Sequence, residues 1–270
     1  MQMTAPPQDS RPSLRPPSFR AARTILALIL REMGATYGNS PGGYVWALLQ
    51  PLGIIYIMSI AFSLFVRSPA LGTSFILFYA TGYLPYALYA EIGNNTARAL
   101  RYSSALLAYP GVTWIDALLA RFILTLLTDV AVMSIVITAI LLSVDAHTVI
   151  NIAPILTAIG LAALIGLGVG LMNCLLGGLF PLYAIAWGIV SRPLMIASCV
   201  LFLYEGVPGA VQDILWWNPL VHVTGLFRRG LYPTYDASYV SLTYGFGLAL
   251  TLIALGLIFL RAYYKSVLEK

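Results

Sequence analysis

The stretch Val149–Leu176, VINIAPILTAIGLAALIGLGVGLMNCLL, contains no charged residue, and a helix of roughly 20 apolar residues is long enough to cross a bilayer. Charged residues are also absent from Met33–Val66 and from Val240–Leu260. The chain of 270 residues is 60% hydrophobic and 9% charged, whereas about a quarter of the residues of an average soluble protein are charged. The composition therefore predicts a protein that crosses the membrane several times and has no soluble domain of useful size.

Six apolar segments are each long enough to cross the membrane as a helix. The predicted fold class is all-α, a polytopic membrane protein with six transmembrane helices at about residues 44–66, 72–96, 114–143, 149–176, 184–204 and 239–260. Before the first span, apolar residues recur every three or four positions from Phe19 to Tyr37, which is typical of an amphipathic helix on a membrane surface. Residues 1–18 contain five prolines and predict a disordered tail ahead of a transmembrane domain at 19–270.

The basic residues predict the orientation of the chain. If both termini lie inside, ten basic residues fall on the cytoplasmic side and three fall outside, as the positive-inside rule requires. The outer three are Arg67, Arg228 and Arg229, and we expect Arg121 and Arg192 near the inner face. The net charge of +5 then reflects topology and contact with anionic lipids rather than nucleic-acid binding.

The segment Glu205–Ser238 lies between the fifth and sixth predicted spans, on the outer side. It is too apolar for a free loop and too interrupted for a span. Irregular backbone at membrane depth is tolerated only where protein or a water-filled cavity satisfies its polar groups. We therefore expect a re-entrant pair of short helices here, with Trp216 and Trp217 at the outer interface.

The sequence lacks common catalytic motifs. It has no G-x-x-x-x-G-K-[ST] phosphate-binding loop, so we do not expect this chain to hydrolyse ATP by itself. H-E-x-x-H and G-x-S-x-G are also absent, and we predict neither a catalytic residue nor a metal ligand. Cys174 and Cys199 fall in apolar stretches and are expected to be buried hydrophobes, and His222 is expected to be a packed residue.

Charged side chains inside predicted spans need partners, because a central Arg or Asp costs about 2.5–3.5 kcal/mol on insertion. Glu91, Asp116, Arg121 and Asp129 are such residues. Asp116 and Arg121 lie near the predicted inner headgroups and indicate either an ion network or a direct role in coupling. Both interpretations stay open.

Glu91 has polar neighbours on the second predicted span. With Asn94 and Asn95 it could line a polar path, or it could simply pair with Arg98 or Arg121. A proton relay would need more titratable groups than the sequence offers.

Two patterns of side chains follow helix faces. One is an aromatic stripe on the second span, formed by Phe75, Tyr79, Tyr83 and Tyr86, with Tyr89 close by. Aromatic faces and phenol hydroxyls suit sliding contacts with sugars, and ordinary helix packing explains the same stripe, so both interpretations stay open. The other is Gly166-x-x-x-Gly170, which predicts close approach of neighbouring helices.

Five motifs in a fixed order give the chain a specific resemblance. They are RE-x-x-x-x-YG-x-S-x-x-GYVWALLQP, LLAYPGVTWIDALLAR, GLGVGLMNCLLGGLFP, RPLMIASCVLF and WNPLVHVTGLFRRGLYPTY, at residues 31–51, 106–121, 166–181, 192–202 and 217–235. From about Phe19 onward the chain resembles the type 2 ABC transporter permeases, and most closely the bacterial capsular polysaccharide export permeases. It departs from their pattern at Gly178–Gly188, which has no charge, and at Gln50, where an acidic residue is common before the proline.

The resemblance implies a non-catalytic permease subunit of an ATP-driven exporter in the bacterial inner membrane, with both termini cytoplasmic. The implied substrate is a lipid-linked polysaccharide, with an acidic capsule expected. The implied partners are a second copy of the chain in a homodimer, a dimer of a separate ABC ATPase that uses ATP and Mg, a periplasmic polysaccharide co-polymerase and an outer-membrane export protein. This chain would hold no cofactor and bind no nucleic acid. Export of O-antigen or of a teichoic-acid-like polymer stays open, as does secondary transport, although the sequence shows no clear internal repeat.

The resemblance also implies roles for individual residues. In such families the N-terminal helix and the loop between spans two and three contact the ATPase, which here correspond to Phe19–Gly38 and Arg98–Thr113. The outer segment shapes the exit of the conduit, which here is Val207–Tyr235. The residues implied for ATPase coupling are Arg20, Arg23, Arg31, Glu32, Arg98, Arg101, Tyr109, Asp116 and Arg121. Those implied for the substrate path are Phe75, Tyr79, Tyr83, Tyr86, Tyr89, Glu91, Trp217, Asn218, Arg228 and Arg229. For the last two, contact with an anionic chain and a solvated or headgroup-bound state are both open.

Overall fold

The computed structural model describes residues 20–37, 42–107, 112–144 and 149–268, and these contain helices but no strand. The helices are α1 (Arg20–Tyr37), α2 (Gly43–Ser63), α3 (Phe75–Tyr102), α4 (Ser104–Leu107), α5 (Trp114–Ser143), α6 (Ile152–Leu179), α7 (Pro181–Ala197), α8 (Gly209–Leu215), α9 (Pro219–Leu231) and α10 (Leu242–Leu268), with a 3₁₀ turn at Tyr204–Gly206. The predicted all-α class is confirmed. The tail predicted at 1–18 lies outside the described residues.

Four helices in the described part of the chain are long and apolar enough to cross a membrane. They cover Val45–Ser63, Trp114–Ser143, Ile152–Leu179 and Leu242–Leu268. The second and fifth predicted spans correspond to α3 and α7, which do not meet that standard. Helix α3 is long enough but carries many polar residues, and α7 has only 17 residues. Crossing of the membrane by these two helices therefore stays a prediction.

Helix α3 lies in the interior of the bundle, although it is less apolar than α2, α5, α6 and α10. It packs against α2, α5, α6 and α9, and most of its residues between Leu77 and Leu100 are buried. Its polar groups are therefore covered by neighbouring helices rather than by lipid. This placement explains how a helix with a low mean hydropathy can occupy the middle of a membrane protein.

Glycines of α6 allow two other helices to approach closely, as predicted. A Cβ atom at Gly166 would lie 2.8 Å from the Tyr89 carbonyl oxygen of α3, and one at Gly170 would lie 2.6 Å from Thr96 Cβ. On the other side of α6, a Cβ atom at Gly168 would lie 2.8 Å from Leu252 Cβ of α10. The three-helix core of α3, α6 and α10 thus depends on side chains no larger than hydrogen at these positions.

Helix α1 packs along α5 and leaves an apolar face open. Leu28 and Glu32 are buried, whereas Leu26, Leu30 and Met33 are exposed. The amphipathic helix that the spacing predicts is therefore present. Its exposed apolar residues suit a membrane surface.

Two predicted boundaries are wrong. The polar segment Arg98–Thr113 is not simply a loop, because α3 continues to Tyr102 and α4 follows at once. Nothing in the sequence stops the helix before Ser103. Helix α7, the fifth predicted span, ends at Ala197 rather than near Tyr204, because Cys199 takes a left-handed backbone conformation with φ of 56°, which an α-helix cannot include.

The outer segment forms two short helices, α8 and α9, as expected. Helix α9 is buried from Leu220 to Arg228 and packs against α3, α6 and α10. The side chain of Asn218 caps α9 by accepting a hydrogen bond from the Leu220 N–H at 3.1 Å. The segment is thus held inside the bundle, and its depth in a membrane stays a prediction.

Candidate functional site

One guanidinium joins three helices at the predicted inner end of the bundle. Arg121 of α5 forms an ion pair with Glu32 of α1, and the two side chains are only 14% and 9% exposed. The same guanidinium lies over the ring of Tyr102 of α3, 4.5 Å from its centre. We call these three residues the inner joint. Removal of one partner of a buried ion pair leaves an uncompensated charge, so the joint ties α1 firmly to α5.

Asp116 acts as a helix cap and does not pair with Arg121. Its carboxylate accepts hydrogen bonds from the Thr113 N–H at 3.0 Å and from the Thr113 hydroxyl at 2.7 Å. In return the Asp116 N–H donates to the Thr113 hydroxyl at 3.3 Å. This capping box defines the start of α5. Asp116 therefore takes no part in the contacts of Arg121, and both the ion network and a coupling role stay predictions for Asp116.

The other residues implied for ATPase coupling are mostly exposed. Arg23 and Arg31 lie on α1, and Arg98 and Arg101 lie near the end of α3. The Arg98 side chain bonds to its own helix, at the Asn94 carbonyl and the Asn95 side chain. Tyr109 and the side chain of Arg20 lie outside the described residues. The exposed guanidinium groups of Arg23, Arg31, Arg98 and Arg101 are accessible to a partner chain.

A polar cavity of about 290 Å³ lies between α2, α3 and α5. Glu91, Asn95, Arg121 and Asp129 are among the residues that line it. Within the described residues Glu91 forms no direct ion pair, and Arg121 pairs with Glu32 instead. An electrostatic interaction of Glu91 with Arg98 remains, and the polar path stays a prediction. One carboxylate oxygen of Asp129 is buried without a hydrogen-bond partner. We call this space the acidic cavity.

The aromatic stripe of α3 divides into a packed part and a part that faces cavities. Tyr79 contacts Phe62 of α2 with ring centres 5.2 Å apart, and it also contacts Phe75 and Phe78. Tyr83 lines the acidic cavity. Tyr86 and Tyr89 line a different cavity, between α3, α6 and α7. All four tyrosines are largely buried, so helix packing accounts for the first half of the stripe.

Arg228 is enclosed by protein, although it was expected on the outer surface. Its side chain is fully removed from solvent, and it donates hydrogen bonds to the carbonyls of Val200 and Phe202, both at 2.9 Å. Its guanidinium also lies 4.5 Å from the centre of the Phe78 ring. The solvated interpretation is thus wrong for Arg228. Contact with a passing chain would require these bonds to break and stays a prediction.

The other outer residues implied for the substrate path differ in exposure. Arg229 is exposed and lies 3.7 Å from Asp236, a weak ion pair. Trp217 is 67% exposed. Asn218 is partly buried and donates hydrogen bonds to the Ala197 carbonyl at 3.0 Å and to the Ser198 hydroxyl at 3.1 Å. Asn218 therefore fastens the end of α7 to the start of α9.

His222 is a packed residue, as expected. Its Nε2 atom is 3.0 Å from the Trp216 carbonyl oxygen, and its Nδ1 atom accepts a hydrogen bond from the Ser241 N–H at 3.2 Å. Burial lowers the pKa of His222, against a smaller opposite effect of the Trp216 carbonyl. With both ring nitrogens occupied, His222 has no position left for a metal ion.

Sequence reasoning missed three residues of these sites. Tyr102 completes the inner joint, and Asn173 and Trp187 line the cavity between α3, α6 and α7. The sequence signal that could have pointed to the cavity between α3, α6 and α7 was Arg192, a lone charge in a long apolar segment. Among the described residues no three His, Cys, Asp or Glu side chains come together as a metal site.

Comparison with known proteins places these features in a known class. Residues 23–232 match the family model described as ABC-2 type transporter. The chain is 29% identical over 245 residues to the polysialic acid transport protein KpsM of Escherichia coli, covering 91% of this chain and 95% of that protein. It is 27% identical over 250 residues to the capsule polysaccharide export inner-membrane protein BexB of Haemophilus influenzae, covering 91% and 92%. It is 25% identical over 245 residues to the capsule polysaccharide export inner-membrane protein CtrC of Neisseria meningitidis serogroup A, covering 91% and 92%.

Proposed function

This chain belongs to the ABC-2 type transporter family, and we propose that it is the membrane subunit of an exporter that moves a lipid-linked capsular polysaccharide across the bacterial inner membrane. The observation that carries the proposal is the similarity to KpsM, BexB and CtrC along 91% of the chain. All three relatives carry names of capsule or polysialic acid transport. Because the similarity extends over nearly the whole chain and not over one segment, it supports a shared mechanism.

The energy for transport would come from a separate chain. This sequence has no phosphate-binding loop of the G-x-x-x-x-G-K-[ST] type, so ATP and Mg would be used by a partner ABC ATPase. The permease would then be non-catalytic and would change shape under force from that partner. The exposed arginines of α1 and of the end of α3 are the proposed docking points.

The proposed membrane arrangement has six spans with both termini inside. Helices α3 and α7 would complete the four apolar spans, and α8 with α9 would form the re-entrant pair in the outer leaflet. The interior position of α3 supports this arrangement, because a polar helix covered by its neighbours does not meet lipid. Two copies would form a homodimer with the conduit between or beside them. A periplasmic co-polymerase and an outer-membrane export protein would continue the path.

The inner joint is the proposed route by which force enters the permease. A push on α1 acts on Glu32, and the buried ion pair transfers it to Arg121 and hence to α5. Tyr102 connects the same guanidinium to the end of α3. Motion of the ATPase would therefore reach α3 and α5, two of the three helices that line the acidic cavity, without any contact between the ATPase and the membrane interior.

Deletion of the gene in its own bacterium tests the proposal. We expect capsule to be lost from the cell surface and polysaccharide to accumulate inside, with recovery when the gene is supplied again. Purified permease reconstituted without an ATPase should move no polysaccharide. Normal surface capsule in the deletion strain, or uphill transport by the permease alone, would contradict the proposal.

A further inference from the structure

A second cavity, of about 380 Å³, lies between α3, α6 and α7. Ligand pockets usually have volumes of about 300–1,000 Å³, so this space is large enough for a sugar-sized group. Its lining includes Tyr86, Tyr89, Asn94, Asn173, Trp187 and Arg192. We call it the α7 cavity. Its mixture of aromatic rings, side-chain amides and one guanidinium differs from that of a packed helix contact.

Arg192 lies deep along α7. The helix starts at Pro181, and at about 1.5 Å per residue Arg192 is roughly 16 Å farther along the axis. This is about half of the roughly 30 Å hydrocarbon thickness of a bilayer. The sequence led us to expect Arg192 near the inner face, but in α7 it lies closer to the Ala197 end than to the start at Pro181, well away from the proposed inner end.

No protein group neutralises this guanidinium among the residues that the structure describes. Helix α7 contains no acidic residue. Apart from Arg192, which is itself exposed, its exposed large side chains are the apolar Leu182, Ile185, Ile189, Val190 and Ile196. The described ion pairs and hydrogen bonds do not include the Arg192 side chain. A central Arg costs about 2.5–3.5 kcal/mol on insertion, and an anionic ligand would offset that cost.

The lining of the α7 cavity fits an oxyanion attached to a sugar. It contains no carboxylate, in contrast with the acidic cavity that holds Glu91 and Asp129. The Tyr183 hydroxyl donates to the Asn173 side-chain oxygen at 2.6 Å, which orients the amide and leaves its N–H groups as donors. Amide and guanidinium donors bind carboxylate or phosphate oxygens.

Aromatic rings in the α7 cavity suit the sugar part of such a ligand. Trp187 is stacked nearly parallel to Tyr183, with ring centres 6.3 Å apart. The Tyr86 hydroxyl donates to the Ser191 carbonyl at 3.2 Å, which holds its ring against α7. Flat, fixed rings offer apolar surface to a sugar at low entropic cost.

We propose that the α7 cavity binds the anionic end of the exported glycolipid, either a sugar carboxylate or the phosphate of its lipid link, with Arg192 as the charged contact. Trp187, Tyr86 and Tyr89 cover the attached sugar, and Asn94 and Asn173 bond its oxygens. This inference rests on the proposed function and deepens it. It adds a specificity site on α7 to the path implied by the aromatic stripe.

Binding to the complex of permease and ATPase in nanodiscs of phosphatidylcholine tests the inference. The probes are oligosialic acid, the neutral oligosaccharide maltoheptaose, and phosphatidic acid added to the nanodisc, each measured by the shift in Tm of the complex. We expect an anionic probe to raise Tm and maltoheptaose to leave it unchanged. Arg192→Gln should weaken anion binding at least tenfold, and Arg192→Lys should retain part of it.

Two further variants test whether anion binding depends on this cavity. Arg67→Gln removes an exposed arginine far along the chain from this cavity and should bind as the unaltered protein does. Trp187→Leu should weaken binding of oligosialic acid several-fold. A shift with phosphatidic acid alone identifies the lipid phosphate as the ligand, and a shift with oligosialic acid alone identifies the sugar carboxylate.

Unchanged anion binding in Arg192→Gln, or equal binding of maltoheptaose, would overturn the inference. So would the absence of any shift with both anionic probes. The proposed function would remain supported in that case if deletion of the gene removes capsule from the cell surface. Conversely, normal surface capsule in the deletion strain would remove the proposed function, whatever the binding data show.

Discussion

The carboxylate of Glu32 pairs with the guanidinium of Arg121 where the surface helix α1 meets α5, and both side chains are largely buried. Because Tyr102 of α3 lies under the same guanidinium, a displacement of α1 cannot occur without work against two other helices. This joint connects α1 to the acidic cavity, because Arg121 also lines that cavity.

Replacement of Arg121 by Gln should both destabilise the permease and uncouple it. We expect the free energy of unfolding to fall by about 3–5 kcal/mol, because Glu32 would remain buried without a partner. Transport per ATP hydrolysed should fall as well. Thermal unfolding and paired transport and ATPase assays measure the two effects.

The matched control is Arg98→Gln, since Arg98 is exposed and bonds only to its own helix. Its effect on stability should stay within about 0.5 kcal/mol, as is usual for surface positions. The effects of Glu32→Gln and Arg121→Gln should not add in the double variant. Additive effects would mean that the ion pair is not the connection between these helices.

Gly170→Ala should destabilise the core of the bundle. The new Cβ atom would lie 2.6 Å from Thr96 Cβ and 2.8 Å from the Gly93 carbonyl oxygen, so α3 and α6 would have to separate at a cost of about 1–3 kcal/mol. Gly160→Ala is a matched control in the same helix, because no atom lies within 4 Å of its Cβ position. It should be neutral or stabilising by up to about 1 kcal/mol. Equal Tm values for the two variants would refute the close-packing role of Gly170.

Arg228→Met should lower the free energy of unfolding. Because Arg228 is buried, the exposed charge of the protein should stay nearly the same. The variant loses hydrogen bonds to the Val200 and Phe202 carbonyls, and one such bond to a charged group contributes about 1.5–3 kcal/mol. Arg229→Gln removes the neighbouring exposed arginine and should change stability by less than about 1 kcal/mol. Thermal unfolding of the two purified variants gives the comparison. Similar Tm values would show that Arg228 does not hold the end of α7.

The paired change of Tyr83 and Tyr86 to Ala should slow export more than it lowers the amount of folded protein. Each residue lines a cavity, whereas Tyr79 packs among aromatic rings. Tyr79→Leu should therefore act mainly on stability. Surface polysaccharide divided by membrane-inserted permease is the quantity to measure. Normal export by the Tyr83 and Tyr86 variant at normal protein level would remove these tyrosines from the path.

The sequence alone predicted the all-α class, the long apolar helices and the family, because these depend on composition and on motifs that are local in the chain. Charge-free stretches such as Val149–Leu176 can only be read as buried or membrane-embedded helices. The role of Gly166 and Gly170 was also predictable, since their spacing puts both on one helix face. The short helices of the outer segment followed from its interrupted apolar pattern.

Tertiary structure alone decided which charged groups meet. Asp116 and Arg121 are close in sequence, yet one caps α5 and the other pairs with Glu32 on a distant helix. Arg228 and Arg229 are adjacent, yet one is buried against Phe78 and the other faces solvent. The physical reason is that the free energy of a charge depends on the atoms that surround it in space, and helix packing brings those atoms from remote parts of the chain.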